Sequence, residues 1–245
     1  MSKRFFTQHT DDDTIILQGQ EYHHLVNVTR AQIGEQVIVC FNDGYDNICQ
    51  IIEIKKNQAV LKRLSRQKNN NEAGIDVALF QAVPKGDKLE LIVQKCAELG
   101  IKSIIPFLSQ YTQTKEHIVK TERLQKIAQE AAKQCGRAVV PTVEKTQKFS
   151  DILPRLKDYD YVLMPYELEN QTDIKTALAA AAKPKKIAII IGSEGGFSQE
   201  EVKQAKEQNA QTVTLGDRIL RAETAAISVA AIVMYQFDQM KKGEQ

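Results

Sequence analysis

Three stretches of the 245-residue chain combine residue types that can do chemistry on a bound ligand. The first is Ile191-Gly192-Ser193-Glu194-Gly195-Gly196-Phe197-Ser198, which follows an apolar run and opens a helical one. Its glycines permit positive φ and let a ligand approach the backbone closely, and Ser198 with Glu201 forms a capping box that specifies the helix start. A plain tight turn would use the same glycines. The second is Leu215-Gly216-Asp217-Arg218-Ile219-Leu220-Arg221-Ala222-Glu223-Thr224-Ala225, where charges of both signs crowd between a strand end and an apolar helix. It also reads as a solvated turn with charge pairs. The third is Met164-Pro165-Tyr166-Glu167, where Pro165 stops a strand and fixes an exposed turn.

Two nucleotide-site readings fail on spacing. A dinucleotide fingerprint needs its glycines after the first strand of the unit, yet that turn reads Ala82-Val83-Pro84-Lys85-Gly86-Asp87, with one glycine. A phosphate loop needs Gly-Lys followed by Ser or Thr, and no such tripeptide occurs. The cysteines (Cys40, Cys49, Cys96, Cys135) and histidines (His9, His23, His24, His117) are scattered without metal-ligand spacing, so no metal is expected. The cysteines also lack the density of a disulfide scaffold, which fits reduced thiols in cytoplasm. His23 and His24 have no acid or nucleophile placed to make a triad and read as structural.

The elements that must position these stretches fall into two halves. From Lys3 to about Lys68 the pattern is short strands at Arg4 to Phe6, Thr14 to Leu17, Gln36 to Phe41, Ile48 to Ile54 and Ala59 to Leu64, with a helix at Glu21 to Val28. This reads as a small β-barrel over residues 1–70. Asn69-Asn70-Asn71-Glu72-Ala73-Gly74 is polar and turn-prone, a linker. Over 74–245 strands alternate with helices: Ile75 to Gln81, a helix from Asp87 to Leu99 with Asp87 and Glu90 as a capping box, Ser103 to Leu108, and so on to a last helix at Thr224 to Met240. Helices are also expected at Thr121 to Gln134, Asp151 to Lys157, Asp173 to Ala182 and Gln199 to Asn209, with strands at Tyr161 to Met164, Ile187 to Ile191 and Thr212 to Leu215. Alternation with wholly apolar strands such as Ile187-Ala188-Ile189-Ile190-Ile191 means an α/β fold with a parallel sheet between helices. Ligands of such a sheet sit at the carboxyl ends of strands, where all three chemical stretches lie.

Lys and Arg number 33 against 31 Asp and Glu, so global charge names no partner. Locally, Lys55, Lys56, Lys62, Arg63, Arg66 and Lys68 fall in fourteen residues with no acid among them, which suits phosphate contact or a decorated barrel edge. The last helix is apolar nearly all round from Ala225 to Phe237, so it is either a core helix or an interface with a second copy across a two-fold axis. No segment approaches the roughly 18 apolar residues of a membrane span, and acids occupy the stretch where an export signal needs an apolar one.

Taken together these residues resemble the RNA small-subunit methyltransferase E family of the SPOUT superfamily. The resemblance covers nearly the whole chain. Its most specific parts are Gly192-Ser193-Glu194-Gly195-Gly196, the Leu215 to Ala225 block, and Lys85-Gly86-Asp87-Lys88 followed by Gln94-Lys95 and Glu98-Leu99-Gly100. Gln134-Cys135-Gly136-Arg137 before Pro141, and His23-His24 before Arg30 and Gly34, also look like family segments. The resemblance implies a PUA-like RNA-binding barrel followed by a SPOUT methyltransferase domain with a carboxyl-terminal trefoil knot, working as a cytoplasmic homodimer. It implies methylation of N3 of one uridine in 16S ribosomal RNA of the small ribosomal subunit, with S-adenosylmethionine as donor. The donor would be held by Met164, Pro165, Gly192, Ser193, Glu194, Gly195, Gly196, Leu215, Gly216, Ile219 and Leu220. Arg221 would stabilise charge on the uracil oxygens, and Glu223 or Glu194 would accept the N3 proton. RNA would be met by Arg30, Lys62, Arg63, Arg66, Lys85, Gln134 and Arg137. Ser193 stands where the family often has proline, and Asp217 and Thr29 match no fixed residue type. The remaining readings are a knotted methyltransferase acting on transfer RNA or a ribose hydroxyl, and a noncatalytic RNA-binding protein.

Overall fold

The computed structural model describes residues 3–113 and 119–240, so His117 and the two chain ends lie outside the described residues. Contacts divide the chain into two compact units, Met1–Glu72 with Ala132–Val140, and Ala73–Ala131 with Pro141–Gln245.

In the first unit, strands β1 (Arg4–Phe6), β2 (Thr14–Gln18), β3 (Gln36–Cys40), β4 (Tyr45–Ile54) and β5 (Gln58–Lys68) make one sheet in the order β1-β3-β4-β5-β2. β1 runs parallel to β3 and the other neighbours are antiparallel. With β1 and β2 as its edges, the sheet is a curled half-barrel. Period-two alternation turns Ile15, Leu17, Val37, Val39, Ile51 and Leu61 inward around Phe5 and Leu25. β5 continues to Lys68, past the end that hydrophobic pattern marks, because its last residues are exposed and only their pairing with β4 makes them strand. The expected helix over 21–28 is instead a short α1 (Gly19–His23) widened into a π-helical turn, His24–Val28. The Thr29 hydroxyl donates to the Leu25 carbonyl at 2.8 Å, and Arg30 follows at φ 47°.

Two polar constructions hold this unit. Arg4 makes paired bonds to Asp46 at 2.5 and 3.0 Å, with Asn69 donating to both Asp46 oxygens at 3.0 Å. Glu72 accepts bonds from Arg137 Nε and a terminal guanidinium nitrogen at 3.2 and 3.0 Å, and from the Ala138 and Val139 amides at 2.9 Å each.

The second unit is built from β6 (Asp76–Ala82), α2 (Lys88–Glu98), β7 (Ser103–Leu108), α3 (Thr121–Cys135, running on into the 132–140 segment), β8 (Thr142–Val143), β9 (Gln147–Lys148), α4 (Phe149–Ile152), β10 (Tyr161–Pro165), α5 (Ile174–Ala180), β11 (Lys186–Ile191), α6 (Gln199–Glu207), β12 (Ala210–Val213) and α7 (Ala222–Gln236). The strands form a parallel sheet in the order β12-β10-β11-β6-β7-β8, with β9 beside β7. Central β11 is buried from Ile187 to Ile191, as expected of a strand covered on both faces.

Three local expectations give way. Asp87 makes no side-chain cap at α2: the Glu90 amide donates to the Asp87 backbone carbonyl at 3.0 Å, and the Glu90 side chain is drawn to Arg123 at 2.6 Å. The stretch around 151–157 is one α-turn followed by a 3-10 helix, Leu153–Asp158, with Pro154 at its start. β12 begins two residues early, at Ala210, and ends at Val213, which releases Thr214 and Leu215 into the following loop. Its polar Thr212 is buried because the hydroxyl donates to Glu169 at 2.6 Å.

Candidate active site at the carboxyl edge of the parallel sheet

The segments after β10, β11 and β12 meet around one cavity of about 380 Å³, within the range of small-molecule sites. It is lined by Pro165 to Glu167, Ile191 to Phe197, and Thr214 to Gly216 with Arg218 to Ala222 and Ala225. These strands are neighbours in the order β12-β10-β11, so their exits are adjacent by construction.

The glycine segment is a closed turn in which the Gly196 amide donates to the Ser193 carbonyl at 3.0 Å. Gly196 takes φ 65° and lies against the Glu167 carboxylate, and a Cβ on Gly195 would stand 2.7 Å from Tyr111 Cβ. The turn is anchored below by Phe197, stacked on Phe107 at 6.4 Å between ring centres. Beyond it the expected capping box forms: the Glu201 amide donates to Ser198 Oγ at 3.2 Å and Glu201 accepts from the Ser198 amide at 2.9 Å. The second Glu201 oxygen accepts the Gln110 amide at 2.7 Å, which ties the loop carrying Tyr111 to the same turn.

Of the residues expected at a donor site, Pro165, Gly192, Ser193, Glu194, Gly195, Gly196, Leu215, Gly216, Ile219 and Leu220 line the cavity, as does Arg221. Met164 does not: it is fully buried in the core under the sheet edge. Tyr166, Glu167 and Arg218, which lie in two of the chemical stretches but were not expected to hold the donor, also line the cavity, as does Thr214, which the sequence places inside a strand. Tyr166 and Glu167 follow Pro165 directly, so the stop of β10 was the available signal.

A charged cluster borders the cavity. Lys88 donates to Glu194 Oε1 at 2.6 Å and lies 3.8 Å from Glu223 Oε2, and the Lys85 amide donates to both Glu194 oxygens at 3.1 and 3.3 Å. Burial pushes the Glu194 carboxyl up, but the bonds from Lys88 and from the amides of Glu194 and Lys85 outweigh it and hold the group below its ordinary range. The bond to Glu194 likewise raises Lys88. Glu223 Oε2 and Ser193 Oγ are buried without a hydrogen-bond partner, as is Gln81 Oε1, whose amide nitrogen donates to the Gly192 carbonyl at 3.3 Å.

The residues expected to meet RNA differ in their surroundings. Arg30, Lys62, Lys85 and Gln134 are exposed. Arg66 stacks on Tyr45 at 4.3 Å and pairs with Asp43 at 2.8 Å. Arg63 donates to the Asp11 and Asp12 carbonyls at 2.6 and 2.8 Å, and Arg137 is 3% exposed against Glu72. His24 lies 3.1 Å from Lys133 Nζ, a structural contact. Among the described residues no cluster of His, Cys, Asp or Glu is arranged to hold a metal.

A family model described as an RNA methyltransferase domain matches residues 71–234, and one described as an RNA methyltransferase PUA domain matches residues 17–62. Ribosomal RNA small subunit methyltransferase E of Bacillus subtilis (strain 168) is 35% identical over 240 residues, 95% of this chain and 93% of that protein. Among solved structures, a ribosomal RNA small subunit methyltransferase E from Neisseria gonorrhoeae bound to S-adenosyl methionine matches with a TM-score of 0.84 at 26% identity, over 96% of this chain and 98% of that one. A methyltransferase from Legionella pneumophila, in complex with the bound cofactor SAM, matches with a TM-score of 0.85 at 27% identity over the same shares.

Proposed function

This chain belongs to the ribosomal RNA small subunit methyltransferase E family, and from that membership we propose that it transfers a methyl group from S-adenosylmethionine to N3 of one uridine in 16S ribosomal RNA. The observation that carries the reading is the convergence of three strand-end segments on one glycine-cradled cavity. Its residues fit the donor. Gly195 and Gly196 let the turn close against Tyr111 and Glu167 where a Cβ would not fit, Ser193 Oγ is a buried hydroxyl with a hydrogen bond to give, and Glu167 supplies an acceptor at the wall. The segments around Pro165, Gly192 to Gly196 and Leu215 to Leu220 would hold it. When bound, the sulfonium supplies the electrophilic methyl carbon.

The remaining chemistry belongs to the chain. Uridine N3 carries a proton and is a poor nucleophile until that proton leaves. Arg221, at the cavity wall, stabilises negative charge developing on the uracil oxygens, and a carboxylate beside it takes the proton. Positioning the base in line with the methyl group supplies much of the rate, and the target is unpaired or flipped, because N3 is occupied in a paired uridine. Exposed Arg30, Lys62, Lys85 and Gln134 are suited to phosphate contact, which positions RNA without specifying it. Arg63 and Arg137 act by shaping the first unit, since their guanidinium groups are already engaged.

The reading includes a trefoil knot at the carboxyl end and a PUA-like first unit that engages RNA. It also includes a cytoplasmic homodimer formed through the open side of α7, where Ile232 and Tyr235 are exposed although the helix is apolar nearly all round from Ala225. No helix among the described residues is long and apolar enough to cross a membrane. Sedimentation of the purified chain at twice the monomer mass is the expected result for the dimer.

Purified enzyme with labelled donor is expected to place one methyl group on small-subunit RNA, with 3-methyluridine as the nucleoside recovered by mass spectrometry. Recovery of a ribose-methylated nucleoside, or methylation of transfer RNA alone, overturns the assignment. Gly195→Val drives a side chain into Tyr111, an overpacking cost of about 1–3 kcal/mol. To the extent that this cost falls on the donor-binding turn, calorimetry is expected to show the donor bound about five- to 150-fold more weakly.

A further inference from the structure

The two carboxylates are not equivalent: Glu194 lines the cavity, Glu223 follows Arg221 and Ala222 of the lining without lining it itself, and Lys88 sets the two apart. Lys88 sits in the first turn of α2, and it reaches both the glycine turn and the first turn of α7. With Lys88 on Oε1 and the Lys85 amide bridging both oxygens, Glu194 is committed to holding the glycine turn. A carboxylate with its lone pairs so occupied is a weak proton acceptor. Glu223 has the opposite environment. Its side chain is 13% exposed, Oε2 has no hydrogen-bond partner, and Lys88 at 3.8 Å attracts its charge without occupying a lone pair. A buried, unbonded carboxylate oxygen is costly to keep, which calls for a functional explanation.

We propose that Glu223 accepts the uridine N3 proton and that Lys88 is the positioning residue that assigns it this role, by saturating Glu194 and leaving the Glu223 carboxylate unbonded. The inference rests on the methyltransferase reading and names the base within it. In the step, the N3–H bond breaks and its proton passes to the Glu223 carboxylate, leaving the electron pair on N3. N3 forms the new bond to the methyl carbon while the pair of the breaking carbon–sulfur bond stays on sulfur. The proton is then released from Glu223 to solvent, so the reaction yields a thioether, 3-methyluridine and one proton. Lys88 from α2 meets Glu223, and Glu194 from the glycine turn and Arg221, two residues before Glu223, act in turn on Lys88.

Glu223→Gln is expected to lower kcat about 10²–10⁴-fold, with donor affinity within about threefold by calorimetry. Lys88→Met frees the Glu194 oxygen that Lys88 occupies, so Glu194 can share proton acceptance and adding Glu223→Gln should lower kcat by a smaller factor than it does in the wild type. Lys88→Arg should restore the full factor. An unchanged melting temperature and donor affinity in Lys88→Met separate this from simple unfolding, and if that variant does not fold, the turnover of Glu223→Gln decides alone. The assignment is overturned if Glu223→Gln keeps near-normal kcat, or if it lowers kcat by the same factor in folded Lys88→Met as in the wild type. A wild-type protein that neither binds donor nor methylates small-subunit RNA would instead sink the methyltransferase reading itself.

Discussion

Arg221→Ala is expected to reduce turnover on small-subunit RNA by about 10²–10³-fold, the scale on which one preorganised stabiliser of a developing oxyanion acts. Arg221 precedes α7 in extended backbone, φ −65° and ψ 153°, and lines the cavity wall. On the proposed chemistry a guanidinium there would lower the cost of taking the N3 proton whichever base receives it, because charge moving onto the uracil oxygens would meet a cation. Lysine is an incomplete replacement, since a point charge lacks the fork that engages two acceptors at once. The loss should fall on kcat, with donor affinity by calorimetry within about threefold of the wild-type value, because glycine backbone and the Ser193 hydroxyl remain to hold the donor. Near-normal turnover in an Arg221→Ala protein that still binds donor would remove this residue from the mechanism.

The second large effect is on stability. Arg4 and Asp46 have side chains 5% and 8% exposed, and they bond to each other in bidentate fashion with Asn69 completing the acceptor side. Asp46→Ala leaves the guanidinium buried with Cys40 Sγ, at 2.8 Å, as its remaining hydrogen-bond partner among the described residues, and is expected to cost about 3–5 kcal/mol in urea denaturation. Arg4→Met combined with Asp46→Leu should cost far less, since both charges and their desolvation disappear together. Burial pushes the Asp46 carboxyl up, yet the hydrogen bonds from Arg4 and Asn69 outweigh it and leave the group below its ordinary value. A depressed carboxyl stabilises the fold above the unfolded-chain value of about 3.9 and loses that contribution as pH falls through the lower folded value. The wild-type protein should therefore lose stability below about pH 4 more steeply than the double variant. Equal acid sensitivity of the two would show that the pair is not the cause.

Much of the second unit was legible because its signals are local. A capping box is set by residues three apart, and Ser198 and Glu201 form theirs as written. A run such as Ile187 to Ile191 can only be a strand buried on both faces, and its exit must lie at the carboxyl edge of the sheet. Where a local signal competed with a distant partner, the partner decided. Glu90 was positioned to cap α2, and Arg123 captured it across 33 residues. Met164 ends an apolar strand and reads as cavity wall, but strand alternation turns it into the core while Tyr166 and Glu167 reach the lining. Arg63 and Arg137 sit in basic or polar sequence that suits RNA, yet backbone carbonyls and Glu72 hold them.

By itself, then, the order of residues determined which elements form, that the second unit is a parallel sheet, and which turns carry glycine and charge at its working edge. Hydrogen bonds of the helix and strand, and the period of apolar residues along them, act over a few positions and can be read in one dimension. Only the folded chain decided which charges face one another: that Lys88 meets Glu194 and Glu223 from more than a hundred residues away, and that Arg137 is spent on Glu72. Coulomb attraction and burial depend on separation in space, and that separation does not exist until the sheet has brought its strand ends together.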